Sequence, residues 1–239
     1  MDPEALKRLS FPKEFVLRLY RDLLPEQLQE RMQLLDDFEK EHAGKTDPLV
    51  LSVKLNELRG FVHWEAGEFA AGAEYYLRAL LPLPVEANPS LYFHSLWMAA
   101  RCFRLAKQFA QSEEWFLKGF AQAPHIASVF DLLVLLAEYV DLLNEENREL
   151  PQEYRRHIQR CIDEIGIEME EQPAHPNELV AQLKRLHHQA NIAFSRLVLD
   201  ERKENREAMI PKWEAYAAGC KVRYYRDLAQ ERLEKMRKT

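Results

Sequence analysis

Apolar residues recur every three to four positions along almost the whole chain, and Pro or Gly interrupts the pattern at intervals of fifteen to twenty-five residues. A period near 3.6 residues is typical of helices that bury one face. Residues branched at Cβ are scattered and never alternate with polar residues over the length of a strand. The pattern therefore predicts an all-α protein.

Helix start and stop signals divide the centre of the chain into two pairs of helices. Asp47–Pro48 supplies an N-cap followed by proline at the first helical position, and this helix is expected to end near Ala66–Gly67. The other central helices are expected at Glu68–Leu81, Asn88–Lys107 and Phe109–Ala121. Each pair is thus a helix, a tight turn and a second helix.

Further helices are predicted on both sides of these pairs. They are expected around Pro12–Leu24 and Pro25–His42 and, later in the chain, at Val129–Leu143, Glu153–Ile165, Asn177–Asp200 and from Glu207 or Lys212 to the end, with the long link "NEENRELPQ" replacing a tight turn. The most apolar of them, Val129–Leu143, spans fifteen residues and carries three acidic residues. Such a segment suits a buried helix better than a membrane span, so no membrane insertion is expected.

These elements suggest three regions. Residues 1–46 are expected to form an N-terminal helical cap, and residues 173–239 to form C-terminal helices that pack on the centre. The central region, 47–172, would hold three helical hairpins at about 47–84, 90–124 and 126–172.

Small and aromatic residues recur in the same order in the first two pairs. The first pair carries Gly60, Gly67, Phe69, Gly72, Tyr76, Ala79 and Pro84, and the second carries Phe109, Phe116, Gly119 and Pro124. The second set follows the first by about forty residues. Small residues let helix backbones approach closely, and aromatic rings fill the space beside them.

This order resembles the tetratricopeptide repeat, a helical hairpin of about 34 residues. Asn56, Arg59 and His63 depart from the pattern, where the repeat has Trp, Leu and Tyr. The resemblance implies a right-handed stack of helical hairpins, an α-solenoid, with additional helices that cover its two ends.

The resemblance also implies a concave groove lined by the first helix of each pair. The residues at its exposed positions would be Lys54, Glu57, Phe61, Trp64, Glu65, His94, Trp97, Arg101, Arg104 and Leu105. Aromatic and Arg side chains supply most binding hot spots, so the groove is expected to bind an acidic and aromatic segment of another protein. In the alternative interpretation, neighbouring helices bury Trp64 and Trp97, and the two Arg residues meet the acidic stretch that begins at Glu138.

The charge of the chain is unevenly distributed. The net charge is −6, but Glu201–Thr239 holds eleven basic and seven acidic residues, whereas Glu138–Glu171 holds eleven acidic and four basic ones. A nucleic-acid-binding protein would show the opposite overall balance, so a nucleic-acid partner is not expected. The acidic stretch leaves open a second function, that of an immunity protein or secretion chaperone that neutralises a basic partner.

The sequence offers little catalytic chemistry. It lacks the motifs of phosphate-binding loops, dinucleotide-binding turns, zinc proteases and serine hydrolases. His157 and Cys161 could supply only half of a zinc site. We therefore expect a protein-binding scaffold or adaptor with no metal, cofactor or catalytic residue, and an all-α enzyme of an unrecognised type stays the last alternative.

The cysteines bear on location. Cys102, Cys161 and Cys220 are odd in number and far apart, which gives no disulfide framework. The first residues also lack the apolar core of a secretory signal, so a cytoplasmic location is expected. Neither the partner nor the oligomeric state follows from the sequence.

Overall fold

A computed structural model of the chain describes residues 3–126 and 128–238, and it is all-helical over these ranges. The helices are α1 (Pro3–Arg8), α2 (Lys13–Leu17), α3 (Leu28–His42), α4 (Pro48–Glu65), α5 (Phe69–Leu80), α6 (Pro89–Leu105), α7 (Phe109–Ala121), α8 (Val129–Glu145), α9 (Arg155–Ile165), α10 (Pro176–Asp200), α11 (Arg206–Gly219) and α12 (Arg223–Lys238). Within the described ranges there is no β-strand, only an isolated antiparallel bridge between Ile167 and Val222. The predicted all-α class is confirmed.

The four central helices begin and end within two residues of the predicted limits. At the start of α4, the Asp47 carboxylate accepts hydrogen bonds from the backbone N–H groups of Leu49 and Val50, at 2.8 and 3.3 Å. At the start of α6, the Asn88 side chain accepts one from Leu91 N–H at 3.1 Å. These caps satisfy N–H groups that have no partner within the helix, and they explain why the starts could be predicted.

The same left-handed turn ends three helices at intervals of forty residues. Gly67, Lys107 and Asn147 have φ values of 77°, 61° and 56° and follow α4, α6 and α8. The N–H group of each donates a hydrogen bond to the carbonyl three residues before it. The N–H group of the residue that follows donates to the carbonyl five residues before itself, and these second bonds measure 2.8 to 2.9 Å. The link between α8 and α9 is long, as expected, but it begins with this same turn instead of replacing it. Asn is one of the few residues besides Gly that adopts this conformation readily, and this signal was available in the sequence.

The chain forms two compact units, Met1–Asp131 and Leu132–Thr239. The division falls in the first turn of α8, inside the segment 126–172 that was expected to form one hairpin. The expected limits at 46/47 and 172/173 stay predictions.

In the first unit, each helix from α3 to α7 packs against the next. The aromatic and aliphatic side chains of α2 and α3 pack on α4 in one core cluster, made of Phe15, Leu19, Leu35, Phe38, Leu51, Leu55, Leu58 and Val62. A second cluster joins α5 and α6 and contains Ala73, Tyr76, Met98, Ala99, Cys102 and Phe103.

The predicted small positions are close contacts between helices. A Cβ on Gly72 would lie 3.2 Å from the carbonyl oxygen of Gly60, so α4 and α5 touch backbone to backbone there. Forty residues later, the buried Ser112 hydroxyl donates a 2.8 Å hydrogen bond to the carbonyl of Ala100. The two pairs therefore place a small residue of the second helix against the same carbonyl of the first.

Half of the eight other helix and end positions of the repeat are buried. Tyr76, Ala79 and Phe116 are fully buried, and Gly119 is buried. Phe69 and Phe109, which follow the tight turns, are half-buried, whereas the prolines that end the pairs, Pro84 and Pro124, are exposed.

The second unit contains a break that the sequence did not predict. One helix was expected from Glu207 or Lys212 to the end, but the chain leaves the helix after Gly219 and resumes at Arg223. Lys221 accepts a 2.8 Å hydrogen bond from Glu168 N–H, and Arg223 N–H donates one of 2.8 Å to Gly166. These bonds to a distant segment interrupt the helix, and a local helical pattern carries no sign of them.

The N-terminal region also differs from the expected helix at Pro12–Leu24. The chain is α-helical only to Leu17 and continues as a π-helical turn over Arg18–Asp22. Wide turns of this kind are rare and often occur at functional sites. Tyr20 lies in this turn.

Candidate functional site

The side chains expected to line a groove meet along α4 and α6 of the first unit. Glu57 and Trp64 of α4 contact His94 and Arg101 of α6: the Glu57 Oε1 to His94 Nδ1 distance is 3.2 Å, and the Arg101 guanidinium lies 5.1 Å from the centre of the Trp64 ring. The His94 and Trp97 rings meet edge to face with centroids 5.1 Å apart. Two further neighbours, Phe61 and Trp64, have centroids 5.7 Å apart.

We call this surface the aromatic face. It comprises Glu57, Phe61, Trp64, His94, Trp97 and Arg101. The three large aromatic side chains among them are half-buried and pack against the core cluster of α5 and α6.

Two polar atoms lie beneath the aromatic face. The Tyr76 hydroxyl and the Trp64 indole nitrogen are both buried, and neither has a hydrogen-bond partner among the described residues. Burial raises the pKa of Tyr76, and the nearby Cys102 thiol and Glu57 carboxylate raise it further. The Tyr76 hydroxyl therefore stays protonated.

Tyr20 of the π-helical turn borders the aromatic face. Its ring meets the ring of Phe61 edge to face, with centroids 5.3 Å apart, and 43% of the residue is exposed. Burial of part of the side chain and the carboxylates of Glu57 and Glu65 raise the pKa of Tyr20 to about 12, although Arg31 acts in the opposite direction. Residues of the N-terminal segment thus extend the face beyond the predicted set.

Ion pairs between α3 and α4 hold this border in place. Arg31 is 1% exposed and donates from Nη2 to Glu65 Oε2 at 2.5 Å. Arg59, one of the departures from the repeat pattern, donates to Asp36 and Glu39 at 2.7 and 2.6 Å. The ion pair with Arg31 thus engages the carboxylate of Glu65, a residue that was expected to line the groove.

The remaining predicted groove residues differ in exposure. Lys54 and Leu105 are half-buried, whereas Arg104 is only 8% exposed. Arg104 follows Arg101 by three residues, so it lies about 60° around the helix from it. The expectation that Arg104 presents its charge on the groove surface is therefore wrong.

A second carboxylate lies near His94. The sequence did not point to Asp131, in the first turn of α8, although it belongs to the first unit. Burial raises the pKa of Asp131, and His94 acts against this rise. His94 therefore has Glu57 and Asp131 as acidic neighbours.

The acidic stretch of the second unit shares its charges with basic residues of the same unit. Lys184 of α10 lies 3.1 Å from Asp141 and 3.8 Å from Glu138, which is itself only 5% exposed. Two exposed pairs join the stretch to the basic C-terminal region: Glu168 with Arg226 at 2.8 Å, and Glu170 with Lys221 at 2.7 Å. The acidic stretch and the basic C-terminal run therefore partly neutralise each other.

The buried amide of Asn177 ties α10 to the end of α8. Its oxygen accepts a 2.8 Å hydrogen bond from Leu150 N–H, and its nitrogen donates to Asn144 Oδ1 and the Arg148 carbonyl at 2.7 and 3.0 Å. Asp141 and Asn144 follow Arg101 and Arg104 by forty residues. In the second unit, α10 therefore forms hydrogen bonds with Asp141 and Asn144 of α8, whose counterparts on α6 are Arg101 and Arg104.

The second unit also contains a cleft of about 620 Å³ between α10, α11 and α12. Its apolar lining comes from Phe194, Met209, Leu228 and Met236. Arg232 at its edge donates to Glu201 at 2.6 Å and lies 5.5 Å above the Phe194 ring. The sequence did not predict this cleft.

The described residues hold little reactive chemistry. They contain no group of three or more His, Cys, Asp or Glu side chains that could hold a metal ion. Burial raises the pKa values of Cys102 and Cys161 to about 12, so both thiols stay protonated and poorly nucleophilic. The pKa of His157, one turn before Cys161, is lowered by burial and by Arg156 and Arg160.

Nowhere in the described part of the chain does a helix combine the length and the apolar character needed to cross a membrane.

No family model matches the chain, and no curated protein sequence matches it.

Proposed function

We propose that the first unit is a protein-binding module built from tetratricopeptide-like hairpins, and that the aromatic face anchors a segment of the partner. The observation that supports this proposal is the contact between α4 and α6, which brings Glu57 to His94 and Trp64 to Arg101. The two residues of each pair lie 37 positions apart in the sequence, and the resemblance alone assigned them to one surface.

The composition of the aromatic face suits binding. Phe61, Trp64 and Trp97 offer large apolar surfaces, and the core behind them limits their motion. Rings held in this way lose little conformational entropy when a partner binds, so more of the contact energy contributes to affinity. A ready-made surface of this kind favours a scaffold or adaptor over a catalyst.

The second unit offers an internal analogy for such binding. There, α10 bonds to Asp141 and Asn144 of α8 through Lys184 and Asn177. By the forty-residue interval, Asp141 corresponds to Arg101 of the aromatic face and Asn144 to the neighbouring, buried Arg104. The analogy favours a partner segment that lies across α4 and α6.

The alternative function, in which the acidic stretch neutralises a basic partner protein, is less favoured. Lys184, Arg226 and Lys221 already engage the carboxylates of Asp141, Glu168 and Glu170. The described residues give no specific support for an enzyme.

The proposal is tested by capturing partners from the source cells on the immobilised full-length chain. We would compare the wild type with Trp97→Ala, Tyr20→Ala and the control Lys118→Ala, whose side chain is exposed on α7. A partner bound through the aromatic face is retained by the wild type and by Lys118→Ala and is depleted from the two aromatic variants, as quantified by mass spectrometry.

Circular dichroism and thermal melting establish that each variant is folded. Tyr20 is the safer of the two aromatic positions because it is more exposed than Trp97. Equal capture of every bound protein by all four forms would contradict the aromatic face as the binding surface.

A further inference from the structure

The two arginines that suggested an acidic partner are already engaged. Arg104 is 8% exposed, and the guanidinium of Arg101 lies over the Trp64 ring at 5.1 Å. A cation held on an aromatic ring satisfies part of its electrostatic demand within the protein. Arg104 is therefore little exposed and Arg101 is held against Trp64, so neither guanidinium is fully available to a partner carboxylate.

Two carboxylates at the Tyr20 end of the face are partly accessible to solvent, beside the exposed Arg18 and Arg21 of the π-helical turn. The Glu57 and Glu65 side chains are 23% and 27% exposed, whereas Arg31, which pairs with Glu65, has only 1% of its side chain exposed. A partner group approaching from solvent therefore meets carboxylates before it meets the buried guanidinium.

The Tyr76 hydroxyl is an independent sign of a missing donor or acceptor. Tyr76 is fully buried, and no described residue bonds to its hydroxyl. The Tyr76 ring meets the His94 ring edge to face with centroids 6.2 Å apart, which places Tyr76 beneath the aromatic face. A buried polar group without a partner carries a free-energy cost, and this one lies beneath the face that we propose for binding.

We infer that the aromatic face takes a basic segment of a partner protein, in which a Lys or Arg side chain lies on the Tyr20 and Phe61 rings and pairs with the Glu57 carboxylate. The inference rests on the proposed function and specifies the chemistry of the partner. It reverses the charge expected from the sequence.

The protein already uses the same chemistry elsewhere. In the first unit, Arg78 lies 4.9 Å above the Tyr75 ring, and in the second, Arg232 lies 5.5 Å above Phe194 while it pairs with Glu201. The second arrangement combines an aromatic ring and a carboxylate around one guanidinium. Tyr20, Phe61 and Glu57 offer the same two groups to a cation from outside.

The test uses the full-length chain and two fluorescein-labelled peptides. Both are short, share one sequence of alternating apolar and charged residues, and differ only because one carries Arg wherever the other carries Glu. Fluorescence anisotropy measures their binding to the wild type, to Glu57→Gln and to the control Glu74→Gln, which changes the same charge on an exposed position of α5.

We expect the Arg peptide to bind the wild type at least about tenfold more tightly than the Glu peptide. Glu57→Gln is expected to weaken the Arg peptide about fivefold, while Glu74→Gln leaves its affinity unchanged. Tyr20→Ala should weaken it to a similar degree because the ring supplies the surface for the cation. Glu57→Lys should reverse the preference between the two peptides, and circular dichroism checks that each variant is folded.

Other results overturn the inference in distinguishable ways. Tighter or equal binding of the Glu peptide refutes the basic chemistry but leaves the aromatic face as a binding surface, provided that Tyr20→Ala weakens this peptide. Equal effects of Glu57→Gln and Glu74→Gln show attraction by net charge alone and refute the specific site. If neither peptide binds, the inference fails, and the capture experiment decides separately whether the proposed function stands.

Discussion

The ring of Tyr76 occupies the space that a side chain on Gly60 would need. A Cβ at Gly60 would lie 2.8 Å from Tyr76 Cδ2, closer than two carbon atoms normally approach. We expect Gly60→Ala to destabilise the protein by about 1 to 3 kcal/mol, because the ring that supports the aromatic face must move. Urea unfolding followed by circular dichroism measures the change.

Gly219→Ala is the matched control for this substitution. A Cβ at Gly219, the last residue of α11, would meet nothing within 4 Å. We expect it to be neutral or to stabilise the chain by up to about 1 kcal/mol. If Gly60→Ala were equally neutral, the close contact with Tyr76 would be refuted.

The turns at Gly67 and Lys107 should respond in opposite directions to substitution. Both residues adopt a left-handed conformation, with φ of 77° and 61°, but only glycine does so without steric cost. Gly67→Ala should destabilise the protein by about 1 kcal/mol, and Lys107→Gly should stabilise it by up to about 1 kcal/mol. Thermal melting of the two variants checks the signs, and a loss of stability in Lys107→Gly would contradict the shared turn.

The buried guanidinium of Arg31 should depend on Glu65. The pair is joined at 2.5 Å, and Arg31 is 1% exposed. Glu65→Ala leaves a buried charge without its carboxylate, so we expect a loss of about 2 to 3 kcal/mol. Glu74→Ala, an exposed change on α5, should stay within about 0.5 kcal/mol of the wild type. Chemical denaturation of both variants separates the two outcomes.

The stability of the second unit should fall in acid because of His187. Burial and the neighbouring His188 lower the pKa of His187 in the folded chain, below the value of about 6.5 for a free histidine. The unfolded chain therefore takes up the proton first as the pH falls, and the free energy of unfolding decreases once the pH drops below about 6.5. His157, whose pKa is also lowered, acts in the same direction.

His187→Phe should make this pH dependence shallower, since the substitution keeps a ring beside Tyr225 but removes the titrating group. The exposed His125→Gln in the first unit is the control, and unfolding free energies measured between pH 7 and pH 5 give the comparison. A slope unchanged by His187→Phe would show that this histidine does not carry the effect.

Local signals determined how far the sequence could predict the fold. Asp47 and Asn88 mark helix starts because their side chains cap the N–H groups that follow, and Gly67 marks an end because it adopts a positive φ. These effects depend on a few neighbouring residues. The break after Gly219 depends on hydrogen bonds to Gly166 and to the residue at position 168, so no local pattern could reveal it.

The same difference between local signals and contacts of distant segments applies to the candidate site. The resemblance brought α4 and α6 together correctly in the contact of Glu57 with His94. It could not predict that Arg104 would be buried or that Tyr20 would border the face, because exposure depends on how side chains from distant segments pack. For this reason the charge that we propose for the partner differs in sign from the one expected from the sequence.

The recurring left-handed turns bear on how the chain acquires its structure during synthesis. Each turn closes through hydrogen bonds that span five residues or fewer, and each of the helices α3 to α7 packs on its nearest neighbour in sequence. Contacts between segments close in sequence form quickly, because little loop entropy is lost. The hairpin of α4 and α5 can therefore close while α8 is still inside the ribosome, and the Gly60–Tyr76 contact is available as an early nucleus on which α6 then assembles.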